Sequence, residues 1–327
     1  MIITKTPFRI SFVGGGTDLR TFYSRRKGAV LSATINKFMY ISSHDFFEPK
    51  KIRTKYSITE TVDRVEELKH PILRTVLTKL QVNGGLEISS IADVPAGTGM
   101  GSSSSFTVGV LHNLMVRKQL PVSKEILAST ACEIEIDILG EPIGKQDQYA
   151  AAYGGINLIE FHPDETVRVS PLYLKPQNRK ALEEHLMLFY IGSQRSASAI
   201  LAEQNKNTAI QQEKFNALCS MADMAEELFD KLIQGEILEM GTYLHRNWLL
   251  KRQLAGGITN AVIDEIYQTA LSAGAIGGKL LGAGGGGFML FFVEPEKKAT
   301  VMSKLSSLRH FPFQFENEGS KLIYFGD

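Results

Sequence analysis

Three glycine-rich stretches, with the polar residues beside them, are the parts of this sequence suited to chemistry. The stretch 93–105, DVPAGTGMGSSSS, sets Gly97, Gly99 and Gly101 at alternate positions and runs into four serines. Glycines so spaced let the backbone adopt conformations closed to other residues, so that successive N–H groups converge on one anion. Phe106, Val110, Leu111, Leu114 and Met115 follow at helical spacing. A helix therefore starts at Ser102 to Ser104 and adds the partial positive charge and unpaired N–H groups of its first turn. The reading is a phosphate cradle, with serine hydroxyls in reach of a phosphate oxygen or Mg²⁺. The alternative is a flexible glycine-serine connection, which does not normally sit between a strand and an amphipathic helix. No Gly-Lys-Ser/Thr follows, so a lysine on the phosphates must come from elsewhere.

The second cluster, GAGGGG at 282–287, matches the dinucleotide fingerprint letter for letter, but the strand-like FMLFFV follows it instead of a helix. Without a helix dipole there is nothing to hold a pyrophosphate. The stretch reads as a strand–loop–strand turn whose bare backbone approaches a ligand or the first domain, with a merely tight hairpin as the alternative. In the third cluster, FVGGGTDL at 12–19, Gly15 and Gly16 leave room close to the backbone, and Asp18 is an acceptor suited to hydroxyl groups. An ordinary turn with an Asp cap reads the same residues equally well.

The elements that position these clusters follow from periodicity. Strands are expected at 2–13, 28–46, 86–92, 155–161 and 166–172, and a helical stretch at 64–80 is broken or restarted at Pro71. Ser123 caps a helix whose buried stripe is Leu127, Ala131, Ile134 and Ile138, ending at Gly140. The polar segment 175–185 leads into a second unit. It reads as strand 186–191, helices 197–234, 236–254 and 259–273, strands 276–281 and 288–293, helix 296–308 and a final strand 321–325. The fold class is α+β, with domains at 1–175 and 176–327 and a ferredoxin-like second domain.

Composition narrows the function classes. The chain has 327 residues, 43% hydrophobic and 22% charged, with net charge +1. That is a globular balance, and a length better served by two cores than by one. The densest basic run, KKIRTK at 50–55, has no interleaved aromatics, so nucleic acid is not an expected partner. Cys132 and Cys219 lie too far apart for a disulfide framework or a metal cluster, which fits a reducing cytoplasm. No signal peptide or membrane span is legible, and no membrane partner is expected.

The three clusters, in this order and spacing, resemble the motifs of the GHMP kinases: PFRISFVGGGTDL (7–19), DVPAGTGMGSSSS (93–105) and KLLGAGGGGFML (279–290). The resemblance spans essentially the whole chain. It implies an N-terminal domain like domain 2 of ribosomal protein S5, a ferredoxin-like C-terminal domain and an active site between them. It also implies ATP and Mg²⁺ as cofactors, and a small-molecule sugar phosphate as substrate for a monomer or homodimer. Galactokinases carry a Glu-His pair where this chain has Gly15-Gly16. The Gly-Gly-x-Thr-Asp form, with YIGSQRSASAIL (190–201) and LHRNWLLKRQLAGGITN (244–260), is most similar to kinases that phosphorylate the anomeric C1 hydroxyl of D-glycero-D-manno-heptose 7-phosphate. Fucokinase- or galactokinase-like action on a free sugar is the alternative, and a catalytically silent sugar and ATP sensor a more distant one.

Residue roles come with the resemblance. Pro95, Gly97, Thr98, Gly99, Met100, Gly101, Ser102, Ser103 and Ser104 hold the nucleotide, and Ser103 and a glutamate hold the metal. Of Glu133 and Glu135, the latter lies roughly 70° from the centre of the buried stripe and the former roughly 130°. Glu135 is therefore the expected ligand. Asp147, in GKQDQYA, is the expected catalytic base or hydroxyl-positioning group. Arg9 is expected to pair with it and stabilise the transferring group. Gly15, Gly16, Thr17, Asp18, Gly284 and Gly285 are expected to meet the sugar. A phosphate already on the sugar calls for a cation, with Arg195, flanked by Ser193 and Ser196, first and Lys251 and Arg252 second.

Overall fold

A computed structural model of the chain describes residues 1–192 and 197–326. Its strands are β1 (Ile2–Val13), β2 (Gly28–Asp45), β3 (Ile52–Lys55), β4 (Thr59–Val62), β5 (Leu86–Ala92), β6 (Ile156–Phe161), β7 (Val167–Pro171), β8 (Leu186–Gly192), β9 (Ala275–Leu280), β10 (Gly287–Val293), β11 (Arg309–His310) and β12 (Lys321–Phe325). β2 is 18 residues long and pairs antiparallel with β1. Its other edge has room for two neighbours, β6 beside its first half and β5 beside its second. The first sheet thus has eight strands in the order β12-β1-β2-β5-β3-β4, with β6 and β7 branching from β2. β3 and β4 are four-residue polar strands that the periodicity did not announce. They place the KKIRTK run in the next-to-last strand, between β5 and the edge strand β4, where Arg53 and Lys55 both pair with Glu87.

In β1, Phe8, Ile10 and Phe12 alternate with Arg9 and Ser11, so the two polar residues share one face. The register with β2 slips between Pro7 and Phe8, whose partners are Phe38 and Ile35. The extra residues, Asn36 and Lys37, lie in β2, opposite the step from Pro7 to Phe8.

The second sheet is antiparallel, in the order β11-β8-β10-β9. Two helices connect the units. Gln212–Gln234 carries an apolar stripe through Phe215, Leu218, Ala222, Ala225, Leu228 and Leu232 and lies against β2 and β6. Glu239–Lys251 lies against β9 and reaches β1, with Trp248 wholly buried.

Three expectations need correction. The helix expected over 197–234 is two, Ala197–Ile210 and Gln212–Gln234, parted by an extended Gln211. The strand 321–325, expected in the second unit, pairs with β1 in the first sheet. The preceding segment is already stitched there, through Asn36 N–H to Gln314 O and Glu316 N–H to Thr34 O, both at 2.9 Å. Ile138, expected in a buried stripe, is 52% exposed. Residues Glu133–Ile138 form a π-helical turn, in which Leu139 N–H donates to Ile134 O at 3.0 Å, and the wider turn rotates Ile138 outward. Among the described residues no helix is long and apolar enough to cross a membrane.

Candidate active site

A cavity of ≈ 340 Å³ opens between the two units, walled by parts of all three glycine clusters. On one side stands the second cluster. Gly97, Gly99 and Gly101 have φ of +76°, +81° and +73°, a left-handed zigzag that only glycine adopts freely. Helix Ser102–Arg117 starts immediately after, with no side chain capping its first turn. Its free N–H groups and dipole therefore face the cavity, beside the serines. Gly97, Gly99, Gly101, Ser102, Ser103 and Ser104 line the wall. Pro95, Thr98 and Met100 do not: the Thr98 hydroxyl donates back to Pro95 O at 3.0 Å, and Met100 is fully buried.

The third-motif loop braces this cradle from the other unit. A β-carbon on Gly99 would lie 2.5 Å from Leu281 O, one on Gly282 2.5 Å from Gly99 Cα, and one on Gly287 2.3 Å from Thr98 O. The two loops touch backbone to backbone, which explains the glycines without a dinucleotide. Gly284 also lines the cavity, whereas Gly285 donates to Ile258 O at 3.1 Å.

At the floor, Arg9 Nε and Nη2 donate to the two oxygens of Asp147, each at 2.7 Å, and Nη1 donates to Gly99 O at 2.5 Å. Arg9 is 3% exposed, so the pair is a fixed, planar, bidentate unit. Gly101 packs on it, 3.3 Å separating a β-carbon there from Arg9 Cγ and from Asp147 Oδ2.

Ser103 Oγ donates to Glu135 Oε1 and Gln148 Nε2 to Glu135 Oε2, both at 2.7 Å. Glu135 is 1% exposed, whereas Glu133 is exposed and pairs with Lys79 at 2.7 Å. Burial pushes the Glu135 carboxyl up from its ordinary range, opposed by these hydrogen bonds. Among the described residues no lysine or arginine pairs with it. A buried carboxylate held only by neutral donors, next to a hydroxyl and an anion cradle, fits a hard divalent cation completed by phosphate oxygens and water. Among the described residues no group of three or more His, Cys, Asp or Glu forms a cage, so this sparse oxygen set suits Mg²⁺ better than a metal requiring an all-protein shell.

Asp18 is 2% exposed and accepts from Gly16 N–H at 2.9 Å and Gln146 N–H at 3.3 Å. Burial, and then the Asp147 carboxylate nearby, push its carboxyl up. Thr17, expected at the substrate, spends its hydroxyl elsewhere: it donates to Ala29 O at 2.9 Å and accepts from Ala29 N–H at 3.0 Å, pinning the loop to β2. Gly15 and Gly16 line the cavity.

Two lysines complete the wall. Lys279 Nζ donates to Ser11 O at 2.8 Å across the unit boundary, and burial holds its ammonium well below the usual lysine range. Sequence reasoning passed over it, although a lone lysine in the apolar run before a glycine loop was a usable signal. Lys251 Nζ donates to Gln204 Oε1 at 2.9 Å, and burial brings its ammonium down to about 8. Arg252 is instead turned to Asp264 at 2.7 Å, outside the cavity wall. The expectation for Arg195, with Ser193 and Ser196, lies outside the described residues.

Residues 65–155 match the family model for the GHMP kinases N terminal domain, and residues 226–308 that for the GHMP kinases C terminal domain. Over 334 aligned residues, 98% of each chain, the sequence is 30% identical to the D-glycero-alpha-D-manno-heptose 7-phosphate kinase of Campylobacter jejuni. The chain belongs to the GHMP kinases. A crystal structure of a D-glycero-D-manno-heptose 1-phosphate kinase from Bacteroides thetaiotaomicron superposes with TM-score 0.82 at 26% identity, over 100% of both chains. The bifunctional fucokinase/GDP-fucose pyrophosphorylase of Arabidopsis thaliana is 28% identical over 90% of this chain and 30% of its own length. The two-domain α+β fold expected from the motifs is thus the fold of this GHMP kinase.

One glycine of this GHMP kinase site was invisible to sequence reasoning. A β-carbon on Gly144 would lie 2.0 Å from Asp18 Oδ2 and 2.7 Å from Asp18 O, so only glycine permits Asp18 its place. Gly144→Ala is expected to lower kcat/KM for the acceptor about 10²-fold, the cost of roughly 1 Å of misplacement. KM for ATP should stay within about threefold, because the cradle is not touched. Steady-state kinetics with each substrate varied in turn checks this; equal losses toward both would mean that Asp18 is not an acceptor contact.

Proposed function

We propose that this GHMP kinase is an ATP-dependent sugar kinase that moves the γ-phosphoryl group to the anomeric C1 hydroxyl of D-glycero-D-manno-heptose 7-phosphate. The product is the 1,7-bisphosphate, a precursor suited to nucleotide-activated heptose and surface glycan synthesis. The observation that carries the reading is the bidentate Arg9–Asp147 pair, in one cavity with an anion cradle on one side and a buried hydroxyl acceptor, Asp18, on the other. Similarity to a heptose 7-phosphate kinase and to a heptose 1-phosphate kinase supports a heptose phosphate as the sugar.

Phosphoryl transfer asks the protein for alignment and charge stabilisation more than for covalent chemistry. The N–H groups after Gly97, Gly99 and Gly101 and the first turn of Ser102–Arg117 take the triphosphate. Ser103 and Glu135 would hold Mg²⁺, which would supply neutralisation of the phosphate charge. Asp18 fixes sugar hydroxyls. Each Asp147 oxygen keeps a lone pair beyond its bond to Arg9, and one of these accepts the hydroxyl proton as the hydroxyl oxygen is aligned for attack. Arg9, held in plane by Asp147 and Gly99 O, faces the charge that develops on the transferring group.

ADP release with Mg-ATP tests the reading across D-glycero-D-manno-heptose 7-phosphate, the unphosphorylated heptose, mannose, fucose and galactose. Turnover is expected with the phosphorylated heptose at a kcat/KM at least about 10²-fold above the free sugars. Preference for a free sugar would keep the kinase and discard the heptose phosphate.

A further inference from the structure

Behind Gly16 lies a cluster of hydrogen-bond donors with too few acceptors. The Lys251 ammonium only donates, so its 2.9 Å bond to Gln204 fixes the amide with Oε1 toward lysine. That leaves Gln204 Nε2 facing Gly16, fully buried and without a partner among the described residues. A β-carbon on Gly16 would lie 2.4 Å from that nitrogen, so the glycine and the amide fit only together. Nearby, Asn247 Oδ1 accepts from Gly14 N–H at 3.1 Å, which turns its Nδ2 away, also without a partner. The remaining N–H groups of Lys251 have no acceptor among the described residues.

Charge points the same way. Lys251 lines the cavity with Arg9 and Lys279, and the carboxylates in that wall are Asp18, Asp147 and the rim residue Glu141. Asp147 is bonded to Arg9 and Asp18 to backbone N–H groups, so neither pairs directly with Lys251. Lys251 and Lys279 are the cations of that wall with no carboxylate bonded to them among the described residues, and a ligand with acceptor oxygens matches them. A sugar hydroxyl both donates and accepts, whereas a phosphomonoester dianion brings three acceptor oxygens and no obligatory donor.

We propose that Lys251, oriented by Gln204 across Gly16, is the cationic contact for the phosphate that the acceptor sugar already carries. Lys251 is the binding residue and Gln204 its positioning residue. This rests on the sugar phosphate reading above and adds what discriminates a phosphorylated from a free sugar. Gly15, Gly16, Asp18 and Lys251 line the same cavity. The charged groups acting on the ammonium are Asp18, which favours its proton, and Arg9 and Lys279, which oppose it. Free Lys251 loses its proton near pH 8, so kcat/KM for a phosphorylated acceptor falls as pH rises through that value.

The test compares wild type with Lys251→Met and Gln204→Leu, in the full chain, by kcat/KM for D-glycero-D-manno-heptose 7-phosphate and for the same heptose without its phosphate. The ratio of the two is expected to fall about 10²-fold in Lys251→Met and about tenfold in Gln204→Leu, mainly through KM of the phosphorylated sugar. The wild-type decline above pH 8 should be absent from the Lys251→Met variant. A structural role alone would lower both values and leave the ratio standing, which overturns the proposal, as does a wild-type ratio retained in both variants. A wild type with no preference for the phosphorylated heptose fails the sugar phosphate reading itself, and the subsite falls with it.

Discussion

Asp147→Asn is expected to lower kcat by about 10²–10⁴-fold while KM for ATP stays within about threefold. The amide keeps the shape of the carboxylate and one acceptor for Arg9, so the cavity floor survives. It loses the charge and the ability to take the hydroxyl proton. Arg9 is buried, and its partner's charge cannot be replaced by solvent. Some loss of stability is therefore expected, below the ~3–5 kcal/mol that follows when a buried charge loses its partner outright. Thermal melts separate that loss from the kinetic one. A variant that stays folded and turns over at near wild-type kcat would remove Asp147 from the chemistry.

Glu135→Gln is expected to act in opposite directions on activity and on stability. Turnover should fall about 10²–10³-fold at fixed Mg²⁺, with partial recovery at high metal concentration, because one of two protein oxygens offered to the cation is lost. The ligand-free protein should become more stable by about 1 kcal/mol, roughly 1–2 °C in Tm. The introduced amide satisfies the same partners, its oxygen accepting from Gln148 and its nitrogen donating to Ser103 Oγ. The sign follows from linkage. The folded-state pKa of Glu135 is raised, so its contribution is fully present below the unfolded-state value and is lost as pH rises through the folded-state value. Above the unfolded-state value the wild type bears the cost of burying an ionisable carboxyl, and the variant does not. Calorimetry between about pH 4 and pH 8, with and without Mg-ATP, reads this. A variant less stable than wild type at neutral pH without ligand would show that Glu135 is held there for packing.

These residues were unequally legible in the sequence. The three glycine clusters were readable as loops, and the one at 93–105 most specifically, because glycine at alternate positions before a helix has few physical uses. Their mutual contact was not, since nothing in either stretch says that Gly99 meets Gly282. Glu135 was separable from Glu133 by helix geometry, although the turn that carries it is π-helical and the same geometry misplaced Ile138. Arg9 and Asp147 stand 138 residues apart and were named by resemblance; no local pattern announces their planar contact. Gly144, Gln148 and Gln204 were not legible at all. Each works through a partner brought in from elsewhere in the chain, and each looks like an ordinary loop or helix residue when read alone. Thr17 shows the converse: a residue inside a motif can serve the loop and not the ligand. The return of β12 to the first sheet was hidden for a similar reason, because a five-residue strand carries no signal of which sheet edge it joins.

The most direct measurement is the ³¹P NMR spectrum of the product formed from Mg-ATP and D-glycero-D-manno-heptose 7-phosphate, recorded alongside ADP. The expected result is one new phosphomonoester resonance, coupled to the anomeric proton and stoichiometric with ADP, with the 7-phosphate signal retained. ADP formed without that resonance, a phosphate attached to another carbon, or no turnover of this sugar while a free sugar is consumed would contradict it.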